Sequence, residues 1–172
     1  MNLIFRLIWM LIAARLGSRR DIMGENHMTF RCLPTDLDMN LHMTNSRYHS
    51  FMDLSRIDFM IRNGAWARLR AVGLNPVLGS SSIRFRRSVK LFQKFDVTTR
   101  VASWDERWIY IEHKLIAGEE TAAIALVKST FLGKDGRVPT DELLALMGYR
   151  GPKPEFHAAL IKKSELDGLL SA

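Results

Sequence analysis

Between Asp36 and Tyr48 the chain reads DLDMNLHMTNSRY, and this is where its chemically useful side chains crowd together. Asp38 is a carboxylate just ahead of what reads as a helix start, and His42, Thr44, Asn45, Ser46 and Tyr48 follow it closely. The first turn of a helix carries backbone N–H groups without partners and the positive end of the helix dipole. Such a terminus can hold a carbonyl oxygen as negative charge develops on it. A carboxylate beside it can attack a thioester carbonyl directly, or activate water to do so. Thioesters are reactive enough for this to work without a full triad. Taken alone, however, Asp36 and Asp38 read more simply as turn or cap residues, and His42 as a hydrogen-bonding structural histidine.

Other chemistries are excluded by pattern. Asp36-x-Asp38-x-Asn40 begins like a calcium loop, but the sixth position is Leu41 and the twelfth is Arg47, where glycine and glutamate are needed. His27, His49, His113 and His157 show no metal-ligand spacing. There is no G-x-S-x-G elbow, no phosphate-binding P-loop and no G-x-G-x-x-G. No metal and no cofactor are expected.

Several elements must position the segment. His27 to Leu33 alternates weakly and stops at Pro34, as a strand does. Residues 34 to 44 are a polar loop. A helix capped by Thr44 or Asn45 then runs to Ile61 and is closed by Asn63-Gly64. Tyr48, Phe51, Met52, Leu54, Ile57, Phe59, Met60 and Ile61 cover most of its circumference, the mark of a buried helix. A short helix over Ala65 to Val72 follows. Ser80 to Val89, Asp96 to Asp105, Trp108 to Ile116 and Thr121 to Leu132 read as strands, and Gly79 to Ser82 as a loop into the first of them. Their connections are too short for helical crossovers, so they pair antiparallel. The class is α+β, with a sheet that wraps the helix. Thr140 to Met147 is a brief helix, Gly151 to Pro154 a linker, and Phe156 to Leu170 an amphipathic tail helix.

The 172 residues suit one domain with a real core. Three segments are expected: an apolar helix over 1–20, a domain over 21–150, and a linker and tail over 151–172. The first is nearly all apolar through Leu16, then Gly17, Ser18, Arg19 and Arg20. It is too short for an ordinary membrane span. Three readings stay open: packing on its own domain or a second subunit, interfacial contact with an anionic leaflet, or a signal segment. The net charge of +7 points to an anionic partner. Arg84, Arg86, Arg87, Lys90 and Lys94 form either a solvated strand face or a rim for a phosphorylated ligand. The charge is scattered and matches no nucleic-acid-binding motif. Cys32 is the single cysteine, expected buried and inert, and a reducing, cytoplasmic location fits, peripheral to the inner membrane surface if residues 1–20 touch it.

Asp36-Leu-Asp38, His42-Met-Thr-Asn45 and Tyr48 together resemble the D-x-D-x-x-x-H-x-N-N-x-x-Y pattern of hot-dog-fold acyl-CoA thioesterases of the 4-hydroxybenzoyl-CoA thioesterase type. HMTNSRYHSFMDLSRIDFMIRNG and TTRVASWDERWIYIEHKL bring the chain closer to the branch of thioesterase superfamily member 6. The resemblance covers residues 27 to 138. It implies a hot-dog fold, with an antiparallel five-stranded sheet around the 45–63 helix. It also implies a homodimer, or a tetramer of dimers, with pockets at the dimer interface. Asp38 matches the catalytic carboxylate. His42 and Asn45 match pocket residues, the backbone of Thr44 to Ser46 the carbonyl-polarising helix start, and Tyr48 a helix-face aromatic. Thr44 replaces the first of two asparagines and Leu41 a frequent glycine. The implied activity is hydrolysis of an acyl-CoA to free acid and CoA. The alternatives are a non-catalytic acyl-chain-binding or membrane-associated hot-dog protein, and a hot-dog dehydratase or hydratase acting on acyl-carrier-protein thioesters.

Overall fold

The structure is a computed structural model that describes residues 2–155 and residue 162. The tail helix expected over Phe156 to Leu170 lies outside the described residues. Helix α1 (Asn2–Leu16) leads into strand β1 (Asn26–Arg31), a single 3-10 turn (Pro34–Asp36), helix α2 (Asn45–Arg62) and helix α3 (Ala65–Ala71). Strands β2 (Asn75–Phe85), β3 (Lys94–Trp104), β4 (Ile109–Ala117), β5 (Glu120–Gly133) and β6 (Gly136–Arg137) follow, and α4 (Thr140–Met147) closes the order. The sheet runs β1-β3-β4-β5-β2 with every pairing antiparallel, and the two-residue β6 adds to β5.

The long helix, the β3–β4 and β4–β5 hairpins and the strand before the loop fall where the residue pattern puts them. Strand β2 does not. It begins at Asn75, so Gly79 to Ser82 lie inside a strand and Arg86 to Val89 outside it. Polar and glycine-rich residues are tolerated there because β2 pairs only with β5 and is exposed along most of its length. Pro76 fits an edge strand for the same reason. The register shifts between Leu78 and Ser80, and a Cβ on Gly79 would run into the Trp108 indole, so the glycine is required where the strand kinks over that ring.

The apolar circumference of α2 is covered from two sides. Phe95, Val97, Leu115, Ala123 and Ala125 of the sheet pack with Tyr48, Phe51, Met52 and Leu54 in one buried cluster. Met10 and Ala14 of α1 belong to that same cluster and cover the helix from outside. The sheet alone therefore does not enclose α2. A second cluster joins Leu69 of α3 and Leu143, Leu144 and Met147 of α4 to Trp104, Ile109 and Phe131.

Beneath α2 runs a line of buried polar groups. The Ser55 and Thr99 hydroxyls lie 2.7 Å apart, and Thr99 Oγ1 lies 2.8 Å from His113 Nδ1. His113 Nε2 sits 3.3 Å from Arg56 Nη1. A guanidinium only donates, so Nε2 accepts and the ring proton resides on Nδ1, where it donates to Thr99. Burial first, then the Arg56 charge, push the His113 pKa down to about 3. Neutral His113 is thus the folded form, whereas in the unfolded chain it titrates near 6.5. The unfolded state binds the extra proton below that value, so stability falls as the pH drops from 6.5 towards 3. By about pH 5 this single group should cost about 2 kcal/mol relative to neutral pH. Denaturant titrations of wild type and His113→Gln across that range measure it. The variant should lose the extra acid slope, and an unchanged slope would remove His113 as its source.

Candidate active site

The loop that carries the two aspartates is pinned by the first of them. Asp36 is fully buried. Its Oδ2 accepts hydrogen bonds from Arg6 Nη2 at 2.8 Å and from the Leu33 N–H at 2.9 Å, and Arg47 Nε lies 3.4 Å from Oδ1. Arg6 belongs to α1 and Arg47 to the first turns of α2. One carboxylate therefore joins both helices to the end of β1. The Arg6 guanidinium also lies 4.7 Å over the Phe51 ring, within the core.

From Asp36 the chain makes a tight loop and returns. The Thr44 N–H donates to the Asp36 carbonyl at 2.9 Å, and Leu37 bridges Met43. Inside that stem the Asp38 N–H donates to the His42 carbonyl at 2.8 Å, and the Leu41 N–H to the Asp38 carbonyl at 3.1 Å. Leu41 is left-handed, with φ of 58°. This is a three-residue hairpin turn whose last position favours glycine. That explains why glycine is frequent there in the resembling family, and Leu41 carries the strain of its side chain.

Asp38 stands at the head of this turn, exposed. Its Oδ1 accepts from the Asn40 N–H at 2.8 Å and from the His42 N–H at 3.4 Å. The second oxygen, Oδ2, has no partner among the described residues. The plain turn role is thus real, and it holds one carboxylate oxygen while the other points free. One hairpin stem away, α2 begins at Asn45, after an N-cap residue, Thr44, whose side chain makes no cap hydrogen bond. Among the described residues the N–H groups of Asn45 and Ser46 meet no acceptor. An uncapped terminus of this kind leaves its donors available. The Asn45 and Ser46 side chains are exposed and His42 is half-buried.

Tyr48 is different. It is buried, its hydroxyl donates to the Arg87 carbonyl at 3.3 Å and accepts from the Val89 N–H at 3.3 Å, and its ring meets Phe85 edge-on at 5.1 Å. Burial pushes its pKa up. Tyr48 staples α2 to the segment after β2 and so acts from below the loop. That segment joins the loop directly: the Met43 N–H donates to the Val89 carbonyl at 2.9 Å and His42 bridges Lys90. It borders a hollow of about 520 Å³ lined by Arg87, Lys90, Leu91, Gln93, Ala117 and Glu120. Arg87 pairs with Glu120 at 2.7 Å in solvent. Cys32 is buried, and burial followed by the Asp36 charge raises its thiol pKa, as suits an inert group. Among the described residues no three His, Cys, Asp or Glu side chains gather as metal ligands.

The structure thus brings Asp38, His42 and the Thr44–Ser46 backbone to one loop-and-helix junction, and turns Tyr48 inward. Asp36 and Arg47 were the residues missed. The one available signal was the aspartate doublet, which does not reveal which member is buried.

Comparison with known proteins identifies the family and the fold. The profile of the thioesterase-like superfamily matches residues 32–163, and the chain belongs to that family. Protein THEM6 of Xenopus laevis is 32% identical over 110 residues, covering 64% of this chain and 53% of that protein. Protein THEM6 of Drosophila melanogaster is 29% identical over 161 residues, covering 90% and 81%. The thioesterase lcsJ of Purpureocillium lilacinum is 28% identical, covering 71% and 48%. The chain spans about half the length of several of these relatives. Among solved structures, the probable thioesterase YbaW of Escherichia coli superposes with a TM-score of 0.68 at 17% identity, covering 71% of this chain and 96% of that one. A 1,4-dihydroxy-2-naphthoyl-CoA thioesterase of Synechocystis gives 0.62 at 10% identity, covering 75% and 100%. The fold is accordingly the α+β hot-dog fold.

The two unusual loop residues make opposite predictions. Asp36→Asn leaves Arg6 and Arg47 facing a neutral group and should lower stability by about 3 kcal/mol. Leu41→Gly should raise it by about 1 kcal/mol, relief of the left-handed penalty exceeding the added chain entropy. Urea unfolding of both variants measures each change. Equal stability of Asp36→Asn and wild type would deny the carboxylate its central place.

Proposed function

We propose that the protein hydrolyses acyl-CoA thioesters, with Asp38 as the carboxylate that attacks the carbonyl or deprotonates the attacking water. The observation that carries this reading is Asp38 itself. Its Oδ1 is held by two backbone N–H groups while Oδ2 stays free, one hairpin stem from an uncapped helix start. The Asn45 and Ser46 N–H groups supply donors for the carbonyl oxygen as charge builds on it. If Asp38 attacks, the CoA thiolate leaves behind an acyl–Asp38 anhydride that water hydrolyses; if Asp38 deprotonates water, that water adds to the carbonyl and expulsion of the CoA thiolate gives the free acid directly. His42 and the side chains of Thr44, Asn45 and Ser46 shape the approach to the carbonyl. The hollow beside Arg87 and Lys90 suits the phosphates of CoA.

A second copy of the chain completes the pocket. Strand β2 is an edge of 11 residues, and Val77, Leu78 and Phe85 on it are exposed. Long unpaired edges with apolar side chains favour strand pairing with another chain. Light scattering after size exclusion should give a multiple of the 19.7 kDa chain, twice for a dimer and eight times for a tetramer of dimers. A mass of one chain at micromolar concentration would remove the shared pocket.

The central test compares wild type with Asp38→Ala and Asp38→Asn on acyl-CoAs of varied chain length and on aromatic acyl-CoAs. The variants should lose about 100-fold or more in kcat/KM. Because Asp38 is exposed, their unfolding midpoints should stay near that of wild type. Equal turnover by all three proteins would take the chemistry away from Asp38. Tight acyl-CoA binding without turnover by wild type would instead favour an acyl-chain-binding protein.

A further inference from the structure

Helix α1 presents two apolar faces, and the fold uses only one. Met10 and Ala14 are buried against α2, with Leu7 and Leu11 packed beside them. On the other side Ile4, Phe5, Ile8, Trp9, Ile12 and Leu16 are 47% to 83% exposed, with Trp9 at 73% and Leu16 at 83%. Their spacing places them in one stripe along the whole helix. Solitary exposed apolar residues need no explanation, but a continuous stripe that includes a tryptophan and a phenylalanine does.

At the C-terminal end of the stripe the surface changes from apolar to cationic. A hollow of about 450 Å³ is lined by Arg15, Arg19, Arg20, Arg62 and Arg68, and by no acidic side chain. Arg62 is committed to Asp58 and to the Ala13 carbonyl, and Arg68 donates to the Met147 carbonyl. Arg15, Arg19 and Arg20 have no ion pair among the described residues. An apolar stripe beside unpaired arginines matches the boundary of a phospholipid leaflet, acyl chains on one side and phosphates on the other.

Helix α1, with one face buried against α2, is placed to lie along a leaflet surface. Its 15 residues span about 22 Å, short of the roughly 30 Å hydrocarbon core. No described helix is long and apolar enough to cross a membrane. Arg6 also ties α1 to Asp36 and to the ring of Phe51, so the helix docks while still fastened to the domain. A second copy is the weaker occupant, because a chain of net charge +7 offers those arginines little anionic complement.

We propose that the outer face of α1 and the arginine-lined hollow at its end form a docking surface for an anionic phospholipid membrane. The inference stands independently of thioester hydrolysis. The test is flotation of the whole protein with vesicles of phosphatidylcholine alone, or with about 30 mol% phosphatidylserine, at low and high salt. Wild type should float with the anionic vesicles, at least about tenfold less with neutral ones, and dissociate in high salt. Phe5→Ser with Trp9→Ser, and separately the triple change Arg15→Glu, Arg19→Glu and Arg20→Glu, should each reduce the bound fraction about tenfold. These side chains are exposed, so circular dichroism should report unchanged folding. As a readout that needs no loss of binding, brominated lipid should quench wild-type tryptophan fluorescence, and Trp9→Phe should abolish most of that quenching. Absence of flotation, equal binding to neutral and anionic vesicles, or undiminished binding by either variant would overturn the proposal. So would a drop in oligomer size for Phe5→Ser/Trp9→Ser without change in flotation, which would assign the stripe to a second copy.

Discussion

A buried carboxylate with charges converging on it from two helices holds this molecule's working parts in register. Asp36 takes Arg6 from α1, approaches Arg47 of α2 and accepts the backbone N–H of Leu33. An isolated carboxylate is costly to bury, and the cost is offset only when its partners are all present. The position of α1, the exit of the chain from β1 and the entry into α2 are therefore one coupled arrangement. The loop bearing Asp38 is the short span of chain left between these fixed points.

The stapling of that loop continues on its far side. Tyr48 fastens the segment after β2 through two backbone groups, and Met43 and His42 pair with Val89 and Lys90. The exposed, strained turn at Asp38 to Leu41 is thus held between a buried ion cluster and a buried phenol. Reactive groups set in a rigid frame need little reorganisation when charge develops. The line from Ser55 through Thr99 to His113 and Arg56 serves the helix in the same way, fixing its rotation over the sheet by a chain of matched donors and acceptors.

Much of this was legible in the residues. The apolar circumference of α2 announced a buried helix, and short connections announced antiparallel hairpins. The start of strand β2 was not legible, because Gly79 to Ser82 have turn composition and only their place on a sheet edge makes them a strand. Which aspartate is structural was not legible either. Asp36 and Asp38 are chemically identical, and the partner that decides between them, Arg6, lies 30 residues away. The role of α1 was ambiguous because it is apolar on both faces, so periodicity could not say which face is covered. Asp38 remains a turn residue by local geometry, and its reading as a reactive group draws on the family as much as on its free oxygen.

The contact between Arg6 and Asp36 also ties the partly exposed first helix to the base of the loop. Whatever occupies the outer face of α1 acts on a helix whose own arginine neutralises the carboxylate at the base of the loop. Had α1 two placements, a ligand that preferred one would favour the loop placement that goes with it. In that case reciprocity would have a molecule bound at the loop alter the affinity of the helix surface by the same factor. The arginine thus joins the helix to the loop, and the joint is one side chain long.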